Sequence, residues 1–240
     1  MTKFVETAIK LLKDADEFNK DNINAVSDLF ADCIKNDGII YMFGCGHSGI
    51  IAEDCFYRAG GLANIQPIFV PELTLSVSAS NSSRLEKDEK NAEKILGGYK
   101  FGKNDLLCVF SVSGINGVPV EIARQGKEKG LKVIGLGSSA YFGEKSRHSS
   151  GKRLADFCDV FLDNRVPKGD AVIALKDGGK AVPISTVVSS CLIQTCIAET
   201  LTKLEKQNVS FDVFGSGNLS ANIGKNAELV EKYSKRIKFI

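Results

Sequence analysis

Gly38-Ile39-Ile40-Tyr41-Met42-Phe43-Gly44-Cys45-Gly46-His47-Ser48 is the stretch on which the fold of this chain turns. An apolar strand runs into a turn of small residues, the turn carries a serine, and a helical pattern follows. The arrangement recurs at Leu106-Leu107-Cys108-Val109-Phe110, which leads into Ser111-Val112-Ser113-Gly114-Ile115-Asn116 and another helix. One such turn is commonplace. Two at matching places, both with hydroxyls, point to a single phosphate-holding site built from the pair.

Outward from these turns, strand and helix alternate. Strands are expected at 39–43, 64–70, 105–111, 132–137 and 158–162. Helices are expected at 49–59, 83–96, 119–130 and 183–206, the second opened by a Ser83-x-x-Glu86 capping box. Two amphipathic helices come first, with apolar stripes at Phe4, Ala8, Leu11, Leu12, Ala15 and Phe18 and at Ile23, Val26, Leu29, Phe30, Cys33 and Ile34. Lys20-Asp21-Asn22 separates them. The short apolar run Ala171 to Leu175 is expected to extend the sheet edge, and the tail from Phe211 to end in a short helix.

This alternation implies an α/β fold, a parallel sheet with helices on both faces, for which a flavodoxin-like order 2-1-3-4-5 is the expectation. The expectation is one domain over 1–240, with a helical pair at 1–37, the αβα core at 38–210 and a tail at 211–240. In such sheets ligands bind beyond the carboxyl ends of the strands, where strand order reverses. If that order holds, strands one and three are neighbours at the reversal, and they are the two that carry the serine turns.

A phosphate monoester needs several hydrogen-bond donors and a positive field. Helix N-termini supply both, glycine lets the backbone approach, and serine adds donors without bulk. Gly46, Ser48, Ser111, Ser113, Gly114 and Asn116 are therefore the candidate binding residues. Two other readings stand beside this one. The serines also serve as plain helix caps. Gly44-x-Gly46-x-x-Gly49 also fits a dinucleotide fingerprint, but that pattern wants an acid at the end of strand two, where Gln66, Pro67 and Phe69 stand.

Composition narrows the classes. A net charge of +2 without a long basic run gives no support to nucleic acid or membrane partners. Seven cysteines without a C-x-x-C pair suit neither a disulfide framework nor a zinc site, so no metal or cofactor is expected. Cys33, Cys108, Cys191 and Cys196 sit in apolar runs and read as core thiols, which suits a reducing cytoplasm. No secretory signal pattern opens the chain, and the apolar stretch Val187 to Ala198 is too interrupted to span a membrane.

On these motifs the chain resembles the sugar isomerase (SIS) domain family, whose marks are a Gly-x-Gly-x-Ser turn after the first strand and a Ser-x-Ser-Gly turn after a later one. Residues 56–64, 146–154, Asp163-Asn164 and Ser216-Gly217-Asn218-Leu219 are similar to a phosphoheptose-isomerase-like branch of unassigned activity. The resemblance implies a three-layer αβα sandwich around a five-stranded parallel sheet, a phosphosugar ligand held by Ser48, Ser111, Ser113 and Asn116, and a homodimer or homotetramer. Family isomerases often carry a glutamate two to three turns into the helix after the first motif, near where this chain has Arg58. Others use a glutamate on the late helix, where Gln194 stands. Phosphoheptose isomerases use a histidine there, and none lies between Pro183 and Lys206.

Aldose–ketose isomerisation needs a base near C2 and an acid for ring opening. His47 and His148, the only two histidines, both lie in loops expected at the carboxyl end of the sheet. Glu53 falls on the helix after the first turn. These three are the candidate catalytic residues, with Arg58, Arg147 and Gln194 as secondary candidates. Asp54 and Arg58, spaced i,i+4, also read as a surface ion pair. The expected function is a cytoplasmic sugar-phosphate isomerase. A non-catalytic phosphosugar sensor, or a sugar-phosphate lyase or etherase, remains an alternative.

Overall fold

The structure, a computed structural model, describes residues 1–240. Five parallel strands form the central sheet: β1 (Ile40–Gly44), β2 (Ile65–Pro67), β3 (Leu106–Phe110), β4 (Lys132–Gly137) and β5 (Val160–Asp163). Their order is β2-β1-β3-β4-β5, the order expected from the sequence. Ile40 pairs with Leu106 and Gly44 with Phe110, so β1 and β3 end level with one another and their two turns leave the sheet side by side.

Strand residues alternate between two cores because successive side chains point to opposite faces. Ile40, Met42, Cys108, Phe110 and Ile134 pack with α1 (Lys3–Phe18), α2 (Lys20–Lys35), α3 (His47–Cys55) and α6 (Ser185–Lys206). Ile39, Tyr41, Phe43, Leu107 and Val109 pack on the other face, against α5 (Gly117–Glu128) and α7 (Ile223–Tyr233). Both faces are covered, which is why the strands read as continuous apolar runs.

Three expectations are corrected. The first two helices break at Asn19 alone rather than at 20–22. Asn19 is fully buried, and its amide donates to the Ala15 and Asp163 carbonyls while its oxygen accepts from the Asp163 N–H, pinning the hairpin to β5. The run at 171–175 does not extend the sheet. Positive φ at Arg165, Gly169 and Asp170 turns the chain away, and β6 (Ala171–Ala174) pairs antiparallel with β7 (Lys180–Pro183) instead. Asp170 then caps α6, accepting from the Ile184 and Ser185 N–H groups.

The third correction concerns Glu86. In place of the helix expected at 83–96, α4 (Leu75–Leu85) ends just before Glu86 with Ser83 inside it, and only short 3-10 turns at Glu89–Ala92 and Leu96–Gly98 follow. Tertiary contacts override the capping box. The Glu86 carbonyl accepts from the Val118 N–H, and the following turn lies so close to α5 that a Cβ on Gly117 would be 2.5 Å from the Glu89 nitrogen. No helix is long and apolar enough to cross a membrane.

Candidate functional site

The ends of β1 and β3 open into a cavity of about 690 Å³. Gly46, His47 and Ser48 enter it from the first turn, and Ser111, Ser113 and Asn116 from the second. α4 supplies Leu75, Ala79, Ser82 and Ser83, with Glu86 just beyond its end, and the start of α6 closes another side with Ser185, Thr186 and Val187. The two serine turns thus share one cavity.

Local backbone explains how the first turn delivers its groups. Gly46 has φ 53° and ψ −128°, a conformation costly for any residue with a side chain. Its N–H donates to the Leu73 carbonyl at 2.8 Å, and His47 starts α3 immediately after it. The second turn uses Gly114 at φ 62°, whose N–H donates to Ser111 Oγ at 3.2 Å. The hydroxyls of Ser48 and Ser113 make no hydrogen bond within the protein, so neither serves as a helix cap and both face the cavity as available donors.

Asn116 lies in the cavity wall at the N-cap of α5, but its side chain does not cap the helix. Its amide Nδ2 donates to Glu86 Oε1 at 2.7 Å, and its Oδ1 accepts from the Arg147 guanidinium. Arg147 is therefore tied to the wall through Asn116. Burial holds the Glu86 carboxyl above the usual carboxylate range, against the opposing pull of Lys87 and Arg147. Reading Glu86 as a local cap hid it; the available signal was a glutamate beside a serine-rich segment leading toward the second turn.

The lining contains no lysine or arginine; its acidic side chains are Glu86 and Asp170. Asp170 is fully engaged, since its second oxygen accepts from Ser185 Oγ at 2.6 Å. With no lysine or arginine in the lining, the donors offered to an anion are hydroxyls, backbone N–H groups at the N-termini of α3 and α5, the His47 imidazole and the Asn116 amide.

The remaining candidates lie elsewhere. His148 is 5% exposed. Its Nε2 lies 2.9 Å from Glu121 Oε2 and 3.5 Å from Glu89 Oε2, and its Nδ1 lies 2.7 Å from Ser150 Oγ. It fastens the loop after β4 to α5. Glu53 is exposed, beside a very small indentation formed with Gly44, Gly49 and Thr74 and separate from the cavity. Arg58 pairs with Asp54, which also accepts from Gln194 Nε2 at 3.3 Å, and this cluster is separate from the cavity. None of Ser216 to Asn222 lines the cavity. No three His, Cys, Asp or Glu side chains are grouped to hold a metal ion.

The SIS domain family model matches residues 3–138. A UPF0309 protein of Listeria innocua serovar 6a is 39% identical over 239 residues, covering 99% of this chain and 97% of that protein. A UPF0309 protein of Halalkalibacterium halodurans is 42% identical over 209 residues, covering 86% of this chain and 84% of that one. Among solved structures, the phosphoheptose isomerase GmhA from Neisseria gonorrhoeae is similar with a TM-score of 0.53 at 17% identity, over 81% of this chain and 94% of that one. The Vibrio vulnificus NanR protein complexed with ManNAc-6P is similar with a TM-score of 0.51 at 14% identity, over 95% of this chain and 67% of that one. At these identities the structural likeness shows the fold alone.

Proposed function

This chain belongs to the SIS domain family, and we propose that its cavity binds a sugar phosphate and interconverts aldose and ketose forms. The phosphate sits against Ser48, Ser111 and Ser113, with Gly46 and Gly114 keeping the turns tight enough for backbone N–H groups to approach it. Asn116 contributes to the same wall, although its amide is shared with Glu86 and Arg147. His47, the first residue of α3 and exposed in the cavity, is the candidate for moving hydroxyl protons of the sugar.

One observation carries this reading: three serines from two turns, far apart in sequence, line a single cavity at the ends of neighbouring strands. The nature of the field supports it as well. Two helix N-termini and neutral donors suit a phosphate ester, and the carboxylates in the lining disfavour a second anionic group on the sugar.

We place the protein in the cytoplasm as a homo-oligomer. Seven unpaired cysteines suit a reducing compartment, and Ile50 and Val182 leave apolar side chains exposed on α3 and β7 for a second copy to cover. Light scattering of the purified protein tests the assembly.

A thermal-shift screen over sugar phosphates tests the ligand. A sugar phosphate at a hundred times its dissociation constant should add about 2.7 kcal/mol of stability. Hits are then followed by NMR in D₂O for exchange at C2. Binding with exchange supports the isomerase. Binding without reaction turns the reading into a sensor, and release of a leaving group turns it into a lyase or etherase. No stabilisation by any phosphorylated sugar ends it.

A further inference from the structure

Isomerisation moves a carbon-bound proton, and a carboxylate with a free oxygen inside the cavity suits that task. Of the two carboxylates in the lining, Asp170 spends both oxygens on capping α6. Glu86 does not. Only its Oε1 is engaged, by Asn116 Nδ2 at 2.7 Å, and Oε2 has no partner within the protein. The Asn116 amide is itself oriented, because its oxygen accepts from Arg147. Arg147 is held in turn: its N–H donates to the Ile115 carbonyl at 2.8 Å, and the neighbouring His148 is clasped by Glu121.

We infer that Glu86 carries the proton between C2 and C1 of the bound sugar, with Asn116 and Arg147 as its positioning residues. This rests on the phosphosugar isomerase reading above and adds to it the identity of the base.

The step balances as follows. The open oxygen of the ionised Glu86 takes the proton from C2 of the open-chain aldose. The C2–H pair becomes the C1–C2 double bond, and the carbonyl pair moves onto O1. The O2 proton passes to O1, with His47 in reach of the same cavity as the carrier. The double-bond pair then takes the proton back from Glu86 at C1, and O2 closes to the ketone carbonyl. Glu86 ends ionised, and no oxidant or cofactor is consumed.

Burial strengthens Glu86 as a base by raising its affinity for protons. The charged groups around it are Lys87, next along the chain, and Arg147, from the loop after β4; both oppose that rise. The Cys45 thiol, at the end of β1, is neutral there because burial pushes it well up.

The test uses the full chain, and as probes the sugar phosphates that stabilise the wild type. Glu86→Gln keeps an acceptor for Asn116 and removes the base. C2 exchange should fall by about 10²–10⁴-fold while the stabilisation by the same sugar phosphate persists. Arg147→Ala removes a group that lowers the Glu86 proton affinity, so the acid limb of the pH–rate profile should move to higher pH. A merely structural role for Arg147 would leave that limb in place.

E86Q that binds and exchanges at the wild-type rate overturns the assignment and leaves the phosphosugar reading standing. A wild type that binds but never exchanges overturns the catalytic reading and this inference together. A wild type that no sugar phosphate stabilises removes the binding reading beneath both. If E86Q does not fold, Glu86→Asp keeps the charge and shortens its reach; it should lose exchange, and wild-type exchange by E86D also overturns the assignment.

Discussion

Gly44 and Ser48 approach so closely that a Cβ on Gly44 would lie 2.5 Å from the carbonyl carbon of Ser48. The end of β1 is therefore in contact with the backbone of the first turn of α3, and that contact sets where Ser48 and His47 stand. Gly44→Ala should push α3 off the sheet. We expect a loss of about 1–3 kcal/mol in urea unfolding, together with loss of stabilisation by sugar phosphates.

Ser113 offers a hydroxyl to the cavity that no protein group uses. Ser113→Ala should leave unfolding in the absence of ligand unchanged and weaken every phosphorylated ligand by about 1.5–3 kcal/mol, roughly tenfold to a hundredfold in Kd by calorimetry. Equal affinity in the variant would remove Ser113 from the site.

Glu121 links α5 to the loop that carries Arg147. A hydrogen bond from Arg124, helped by Gln125 and His148, holds its carboxyl down at about 2. A depressed carboxyl contributes stability above the ordinary carboxylate range, and that contribution is lost as pH falls through about 2. Glu121→Gln should therefore be less stable than the wild type at neutral pH, by about 1 kcal/mol after solvent screening. The gap should close as pH drops from about 4.5 toward 2 in a series of thermal melts.

Cys191 is exposed on α6, contrary to its reading as a core thiol, because it falls on the outward side of a helix whose other face is buried. Cys33, Cys55 and Cys196 are buried, with thiols pushed up to about 12 by desolvation. Iodoacetamide near pH 8 should label one thiol quickly, and Cys191→Ser should abolish that fast phase. Rapid labelling of Cys45 would mean that the cavity wall opens.

Much of this architecture was legible because periodicity is local. The alternation of strand and helix and the two serine turns follow from the spacing of apolar residues and the glycines between them, whereas the strand order expected from them is fixed by pairing across the sheet. Where local signals met tertiary demands, they lost. Ser83 and Glu86 make a proper capping box by sequence, yet α4 ends at Leu85 because Glu86 is drawn to Asn116 and Val118. Ala171 to Leu175 has the composition of an edge strand, yet three positive-φ residues ahead of it, Arg165, Gly169 and Asp170, turn the chain away from the sheet, and β6 pairs with β7 instead.

The sequence by itself determined the alternating scaffold and set Ser48, Ser111 and Ser113 at strand ends, because apolar period and turn glycines are local; the pairing of β1 with β3 brings the three into one cavity. Only the tertiary structure decided which titratable groups join them. His148 and Glu121 are 27 positions apart and Glu86 and Asn116 are 30 apart, and each pair meets through loops whose course no periodicity encodes. Burial and charge act through space, so the histidine that looked poised for chemistry is a clasp, while the glutamate that looked like a cap stands in the cavity wall.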